Sequence, residues 1–231
     1  MHSLDLSVII PVGPGDDDWR ELLPLLTNLP KETEVILSAC EAAPANWPEP
    51  ANDCPIAECY WQMSEPGRAQ QLNHGIEHCQ GRMLWLLHAD SRPNSSARHA
   101  ITTWVDMDDD RWLYFDLAFD QQLNGRMFLN SIGANIRSAL FRLPFGDQGW
   151  LLSKSLFERV GKFDRSWARG EDLEWAVRAR RLNIRPERTG TQLMTSCRRY
   201  VEQGWLKTTA NHLYQTMRMV HKACRQHQAA R

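Results

Sequence analysis

Residues 4–12 form a nearly unbroken apolar run, the pattern of a strand buried on both faces. Apolar positions then recur at Leu22, Leu25, Leu26 and Leu29, a helical spacing that Asp16–Asp18 can cap and Pro30 ends. Residues 34–39 predict a second strand and residues 56–62 a third. Between them, residues 42–55 hold four prolines and read as a loop. Residues 67–79 place Ala69, Leu72, Ile76 and Cys79 on one helical face, closed by Gly81. Residues 83–87 are a fourth apolar strand that stops at His88-Ala89-Asp90, and residues 94–105 are helical. This rhythm predicts an α/β domain: a mostly parallel sheet, helices on both faces, right-handed crossovers.

The second half is less regular. Residues 106–110 make an acidic turn, 112–119 alternate like a strand, and 127–140 have helical spacing. Residues 149–153 read as a short strand entering a helix over 154–160, and another helix covers 171–182. Residues 203–225 predict a long amphipathic helix whose stripe is Leu206, Ala210, Leu213, Tyr214, Met217, Val220 and Cys224. Lys207, Arg218, Lys222 and Arg225 lie off that stripe. Such a helix either lies in a membrane interface or packs on the domain or on a second subunit. Packing is favoured, because the centre of the stripe has Ala, Tyr and Cys and no Phe or Trp. No repeat, low-complexity tract or linker divides residues 1–231.

Charge adds a division that the apolar pattern does not show. The 231 residues carry 27 Lys and Arg against 28 Asp and Glu, a net charge of −1 that argues against a dedicated nucleic-acid binder. Residues 178–231, however, hold 12 basic side chains and only two acids, Glu187 and Glu202; residues 1–177 hold 15 and 26. No window reaches the roughly 18–20 apolar residues of a spanning helix, and no signal-peptide pattern opens the chain. The six cysteines are irregularly spaced with no C-x-x-C pair, so reduced thiols and a cytoplasmic setting are expected. Cys54 and Cys59 are the alternative, as a disulfide or metal pair.

Four segments carry candidate chemistry. His88-Ala89-Asp90-Ser91 follows a strand of an open sheet, where ligands bind. An imidazole and a carboxylate released there suit Mg²⁺ or Mn²⁺ held together with substrate phosphates; equally, Asp90 caps the next turn. Gly67-Arg68 at a helix start offers free N–H groups, a positive dipole end and a guanidinium to a diphosphate, or is an ordinary surface helix start. Gly170-Glu171-Asp172 opens a helix with two acids, which serve as general bases or simply complement the dipole. Gly146-Asp147-Gln148-Gly149-Trp150 is a tight turn that either presents polar groups beside an indole face to a polyhydroxyl ligand or sends Trp150 into the core.

The order of these pieces resembles family 2 glycosyltransferases of the GT-A fold. The Ser7–Val12 segment looks like the family's opening S-V-I-I-P-V. Gly67-Arg68-Ala69-x-Gln71-x-Asn73-x-Gly75 is similar to the helix after its third strand. Leu86-Leu87-His88-Ala89-Asp90-Ser91 looks like the L-H-A-D-T form of its metal motif. Gly146-Asp147-Gln148-Gly149, then Leu156-Phe157 with Gly161 and Phe163, then Glu171-Asp172, continue in family order. The ending Thr195-Ser196-Cys197-Arg198-Arg199-Tyr200, followed by Gly204-Trp205-Leu206-Lys207-Thr208-Thr209, most resembles the arsenosugar-biosynthesis-type subgroup. Two departures stand out. The first loop is Gly13-Pro14-Gly15-Asp16-Asp17-Asp18 where the family has Asn-Glu, and the second strand ends without the Asp that helps hold the nucleotide base.

The resemblance implies a Rossmann-like domain with a nucleotide-sugar-binding half (1–105), an acceptor and catalytic half (106–200) and a C-terminal helical segment (201–231). It implies inverting transfer from a nucleoside-diphosphate sugar to a hydroxyl acceptor, assisted by Mn²⁺ or Mg²⁺ on Asp90 and His88. Asp172 would be the base, with Glu171 orienting it. Pro11, Val12, Gly67, Arg68, Gln71 and Asn73 would bind the donor, and Asp147, Gln148 and Trp150 the acceptor. The expected setting is the cytoplasm or the inner membrane face, with membrane contact or a homodimer made through the last helix. A non-catalytic nucleotide- or sugar-binding protein and a nucleotidyltransferase are the alternatives; the acidic first loop would repel a triphosphate.

Overall fold

A computed structural model describes residues 4–45, 47, 56, 58–107, 110–119 and 126–197, together with Tyr214, Arg218, Met219 and Lys222. One eight-stranded sheet forms the centre. Its first half is parallel: β3 (Glu58–Met63), β2 (Thr33–Ala39), β1 (Leu6–Val12) and β4 (Met83–Leu86) lie side by side in that order. The second half is mixed. β7 (Trp150–Ser153) is antiparallel to β4 and to β6 (Trp112–Phe119). β8 (Pro186–Thr195) runs parallel to β6 and antiparallel to the short β5 (Ser91–Pro93) at the edge. The helices are α1 (Trp19–Leu22), α2 (Arg68–His78), α3 (Ser95–Met107), α4 (Arg126–Phe141), α5 (Lys154–Val160) and α6 (Glu171–Arg181).

The sheet separates two cores. Val8 and Ile10 of β1 pack with Leu22 of α1 and with Ala97, Ile101 and Trp104 of α3. Ile9, on the opposite face, packs with Leu72 and Ile76 of α2, Phe157 of α5 and Trp175 of α6. Period-two alternation sends successive side chains to opposite faces, and both faces of β1 are covered, which explains why its run is apolar but for Ser7, whose hydroxyl donates to Glu34. Each such aliphatic side chain, fully buried, contributes about 1.5–3 kcal/mol.

Several expectations are corrected. The first helix is one turn, followed by a 3₁₀ turn over Leu23–Leu25, because Pro24 has no N–H to continue the α ladder. The third strand runs over Glu58–Met63 instead of 56–62. β5 and β8 were not legible as strands. β5 is three residues ending in Pro93, and β8 is largely exposed and polar, with Gly190 at φ +77°. The chain leaves β4 through a turn rather than extended, with Ser91 N–H donating to His88 O at 3.1 Å.

Cys40 and Cys79 are free thiols, whereas Cys54 lies outside the described residues. Of the expected last helix, only Tyr214, Arg218, Met219 and Lys222 are described, all helical. Met219 packs against the second core beside Gly170, and Lys222 Nζ lies 4.0 Å from the centre of the Trp167 ring. Among the described residues, no helix is long and apolar enough to cross a membrane.

Candidate active site

The carboxyl ends of β1 and β2 are tied together before any ligand group is placed. Gln71, buried on α2, donates Nε2 to the carbonyls of Val12 and Ser38, joining the ends of β1 and β2 to the helix. Asn73, also buried, clamps Phe163 by donating to its carbonyl and accepting from its N–H, both at 2.9 Å. Both side chains thus hold protein backbone in this structure, although the sequence places them on the donor.

Gly67 precedes α2 at φ +118°, a conformation that favours glycine, and its carbonyl accepts from Gln71 N–H. The next residue, Arg68, points at two acids from the start of α6. Its Nε lies 3.0 Å from Glu171 Oε1, and its Nη2 lies 3.6 Å from Asp172 Oδ2. Both acids are buried, and their attraction raises the Arg68 pKa against the opposing effect of burial. Burial is also the main cause holding the Glu171 carboxyl above its usual range; Asp172 adds to this and Arg68 opposes it. Asp172 accepts from Gly146 N–H at 2.7 Å through Oδ2 and from Leu173 N–H at 2.8 Å through Oδ1. Gly146 leaves room for this: a Cβ there would overlap Arg68 Nη2.

The 145–149 turn divides its residues by role. Trp150 is buried in a cluster with Trp112 and Trp175 at centroid distances of 4.8 and 5.3 Å, and its Nε1 donates to Phe145 O. It offers no indole face to a ligand, so the alternative for that turn holds. Gln148 is likewise internal, donating to Phe115 O and accepting from Ser138 Oγ and Phe145 N–H. Asp147 differs. Its Oδ1 is buried and has no hydrogen-bond partner among the described residues. Burial pushes its pKa up to about 6; Arg137 and Arg68 pull it down, and Asp172 and Asp90 push it up. Asp90 thus lies within electrostatic reach of both Arg68 and Asp147.

His88 Nδ1 lies 4.0 Å from Asp90 Oδ1, brought there by the turn after β4. Among the described residues, no group of three or more His, Cys, Asp and Glu converges on one point. One or two protein ligands can be enough where substrate phosphates complete the shell of a divalent ion. Asp90 and His88 could hold an ion in that way, and they are too few for an all-protein cage.

Beyond β1 and β2 a cavity of about 110 Å³ is lined by Val12, Trp19, Trp61, Asp16, Asp17 and Glu41, among others. The rings of Trp19 and Trp61 are 5.4 Å apart at 72°. Glu41 accepts from Gly15 N–H at 3.0 Å, and its carbonyl accepts from Trp61 Nε1 at 2.9 Å. Sequence reasoning missed the two tryptophans, which are 42 positions apart and carry no spacing signal. It also missed the Gly146 N–H, a backbone donor that no residue type announces. Pro11 pairs with Ser38 in the sheet, one position before the cavity wall.

No family model matches the sequence, and no curated protein matches it. The fold does have counterparts. The structure is similar to S. aureus TarS 1–349, at 16% identity over 83% of this chain and 60% of that one, with a TM-score of 0.62. A TarS 1–349 structure in complex with UDP-GlcNAc matches at 17% identity over 83% and 58%, with a TM-score of 0.59. The mannosyltransferase PcManGT from Pyrobaculum calidifontis, in complex with GDP-Man and Mn²⁺, matches at 16% identity over 84% and 57%, with a TM-score of 0.61. The chain spans about 60% of the length of these proteins. At such identity the likeness is one of architecture, and the architecture is the GT-A type expected from the sequence.

Proposed function

We propose that the chain is an inverting glycosyltransferase that moves a sugar from a nucleoside-diphosphate sugar to a hydroxyl acceptor. The observation that carries this reading is the buried Asp172, held by Gly146 N–H and flanked by Arg68, in a fold whose solved counterparts bind UDP-GlcNAc and GDP-Man. Burying two adjacent carboxylates beside one guanidinium is costly to the fold, which favours a catalytic role over a retired binding scaffold.

In this reading the acceptor hydroxyl attacks the anomeric carbon in line with the diphosphate bond. The new carbon–oxygen bond forms as the diphosphate leaves with the bonding electron pair, and Asp172 takes the hydroxyl proton. Gly146 N–H fixes Oδ2 for that task, and Glu171 holds Arg68 at the level of the leaving group. Donor binding draws the guanidinium toward the diphosphate. Asp90 with His88 would hold Mn²⁺ or Mg²⁺ there, supplying positive charge for the developing diphosphate. Asp147, with an unsatisfied oxygen, accepts from an acceptor hydroxyl.

The Trp19–Trp61 cavity takes the base. Its side-chain polar lining includes three carboxylates and no cation or amide, which suits a base edge that donates N–H groups. Guanine presents such an edge to a carboxylate bidentately; uracil offers a single N–H between two acceptors. The segment whose sequence resembles the arsenosugar-type subgroup begins at Thr195, and residues 198–209 of it lie outside the described residues.

A thermal-shift panel of nucleotides and nucleotide sugars, with and without Mn²⁺, tests the donor. A ligand at 100 times its Kd should add about 2.7 kcal/mol, and a panel without response overturns the reading. Asp172→Asn should keep the donor-induced shift while transfer falls about 10²–10⁴-fold. Turnover within about threefold of the native chain removes Asp172 as the base.

A further inference from the structure

Helix α4 is inside out. Apart from the buried Met127, its sheet-facing side is polar: Asn135 brackets Leu117 of β6, accepting from its N–H at 2.8 Å and donating to its carbonyl at 3.1 Å. Ser138 Oγ donates to Gln148 Oε1 at 2.6 Å, and Ser131 Oγ donates to Phe128 O. Its outward side carries Phe128, Leu129, Ile132, Ile136 and Leu140, exposed by 67, 60, 37, 52 and 71%. At 100° per residue these positions, with Gly133 and Ala139, fill one arc of about 140°. No polar residue falls inside it. A surface helix normally has the reverse arrangement, and a contiguous apolar face of this extent marks an interaction site.

We propose that this face of α4 lies in the interface of an anionic lipid bilayer, with the helix axis along the membrane plane. Charge selects that occupant. Residues 126–142 contain Arg126, Arg137 and Arg142 and not one acid; Arg137 stacks over the Phe145 ring at 3.6 Å, so the charge offered to headgroups is that of Arg126 and Arg142 at the two ends of the helix. At the C-terminal end of the helix, Arg180 of α6 donates Nη1 to the carbonyl of Phe141, itself exposed by 60%. An apolar arc with Phe and Leu, flanked by arginines, is the composition of an interfacial helix, and anionic headgroups attract the flanking charges. A second copy of the chain docked symmetrically on this face would set arginines against arginines, with no acid on the helix to answer them. The inference is independent of sugar transfer, but it has a geometric consequence for it. Gln148, which accepts from Ser138 of α4, is the neighbour of Asp147 in the same turn, so the membrane-facing helix is coupled directly to the acceptor side of the cleft.

Co-sedimentation of the full chain with phosphatidylcholine–phosphatidylglycerol vesicles, against pure phosphatidylcholine, reads the contact. The native chain should pellet with the anionic vesicles at low salt. The double variant Ile132→Glu/Leu140→Glu should bind at least about tenfold more weakly while keeping its melting temperature. Hydrogen exchange on the native chain provides a second measurement free of folding effects: amides of residues 126–141 should slow when anionic vesicles are added. The proposal is overturned if the native chain stays in solution, if the double variant pellets equally well, or if exchange over 126–141 is unchanged by vesicles. It is also overturned if the chain forms a dimer that the double variant splits, which would make the face an interface between copies.

Discussion

Gly146 and Asp147 are neighbours under opposite constraints, one of space and one of charge. A methyl group at Gly146 would overlap Arg68 Nη2 and sit 3.3 Å from Asp172 Oδ2. Gly146→Ala should therefore displace the guanidinium; the overlapped atom is the tip of a flexible side chain, so the stability loss should be no more than about 1 kcal/mol. Because a misplaced group near the reacting atoms is felt strongly, transfer should drop by at least about tenfold. Denaturant titration and steady-state kinetics read the two effects, and an unchanged chain in both would remove the close approach from the argument. Asp147 is held at about 6, above the ordinary 3.8, so the folded state binds its proton more tightly than the unfolded state. The stability tied to that proton is fully present below about pH 4 and is lost as pH rises through 6. The unfolding free energy of the native chain should thus fall relative to Asp147→Asn between pH 4 and 7. A difference that stays flat across that range would show Asp147 to be ordinarily solvated. The convergence of Arg68 with Glu171 and Asp172 was partly legible, because all three lie in the first turn of a helix that follows a glycine. Trp150, Gln148, Gln71 and Asn73 bond backbone carbonyls instead, and sequence does not announce this, because a polar or amphipathic side chain looks the same whether it answers a ligand or a backbone carbonyl.

At the scale of elements, α6 is fastened to the turn before it by a buried pair. Glu174 receives Arg178 Nε at 2.7 Å and Nη2 at 2.9 Å, and the same guanidinium donates to the carbonyls of Val160 and Lys162 at 2.7 Å. Arg178 would keep its two carbonyl partners and is one-fifth exposed, so Glu174→Ala should cost about 1.5–3 kcal/mol, the worth of the charged hydrogen bonds lost. The loss should appear first as faster hydrogen exchange around residues 160–175; a melting temperature equal to that of the native chain would contradict the latch. The helices and first-half strands were legible because their apolar period is written in the residues that form them. β8 was not, because its burial comes from its neighbours: it is inserted between β6 and β5, and only Pro186, Leu193 and Thr195 are buried. The helical period of α4 was legible, but its polarity was not. Periodicity reports that a helix has two faces without saying which one turns inward.

For the whole molecule, the strand order fixes something that neither site nor surface describes, the sequence of events in making the protein. β3, β2, β1 and β4 pair from a continuous stretch of chain ending at Leu86. β7 must then enter between β4 and β6, and β8 between β6 and β5. During synthesis the parallel half is complete while β5 and β6 wait, with open edges, for a partner that ends at Thr195. Unpaired edges invite pairing with other chains, and domains that depend on distant segments assemble slowly. Glu171 and Asp172 stand at the start of the helix that precedes β8, so the acids are synthesised shortly before the strand that closes the sheet. A nascent chain that stalls between residues 172 and 186 would thus already carry its carboxylates while still exposing the unpaired edges of β5 and β6.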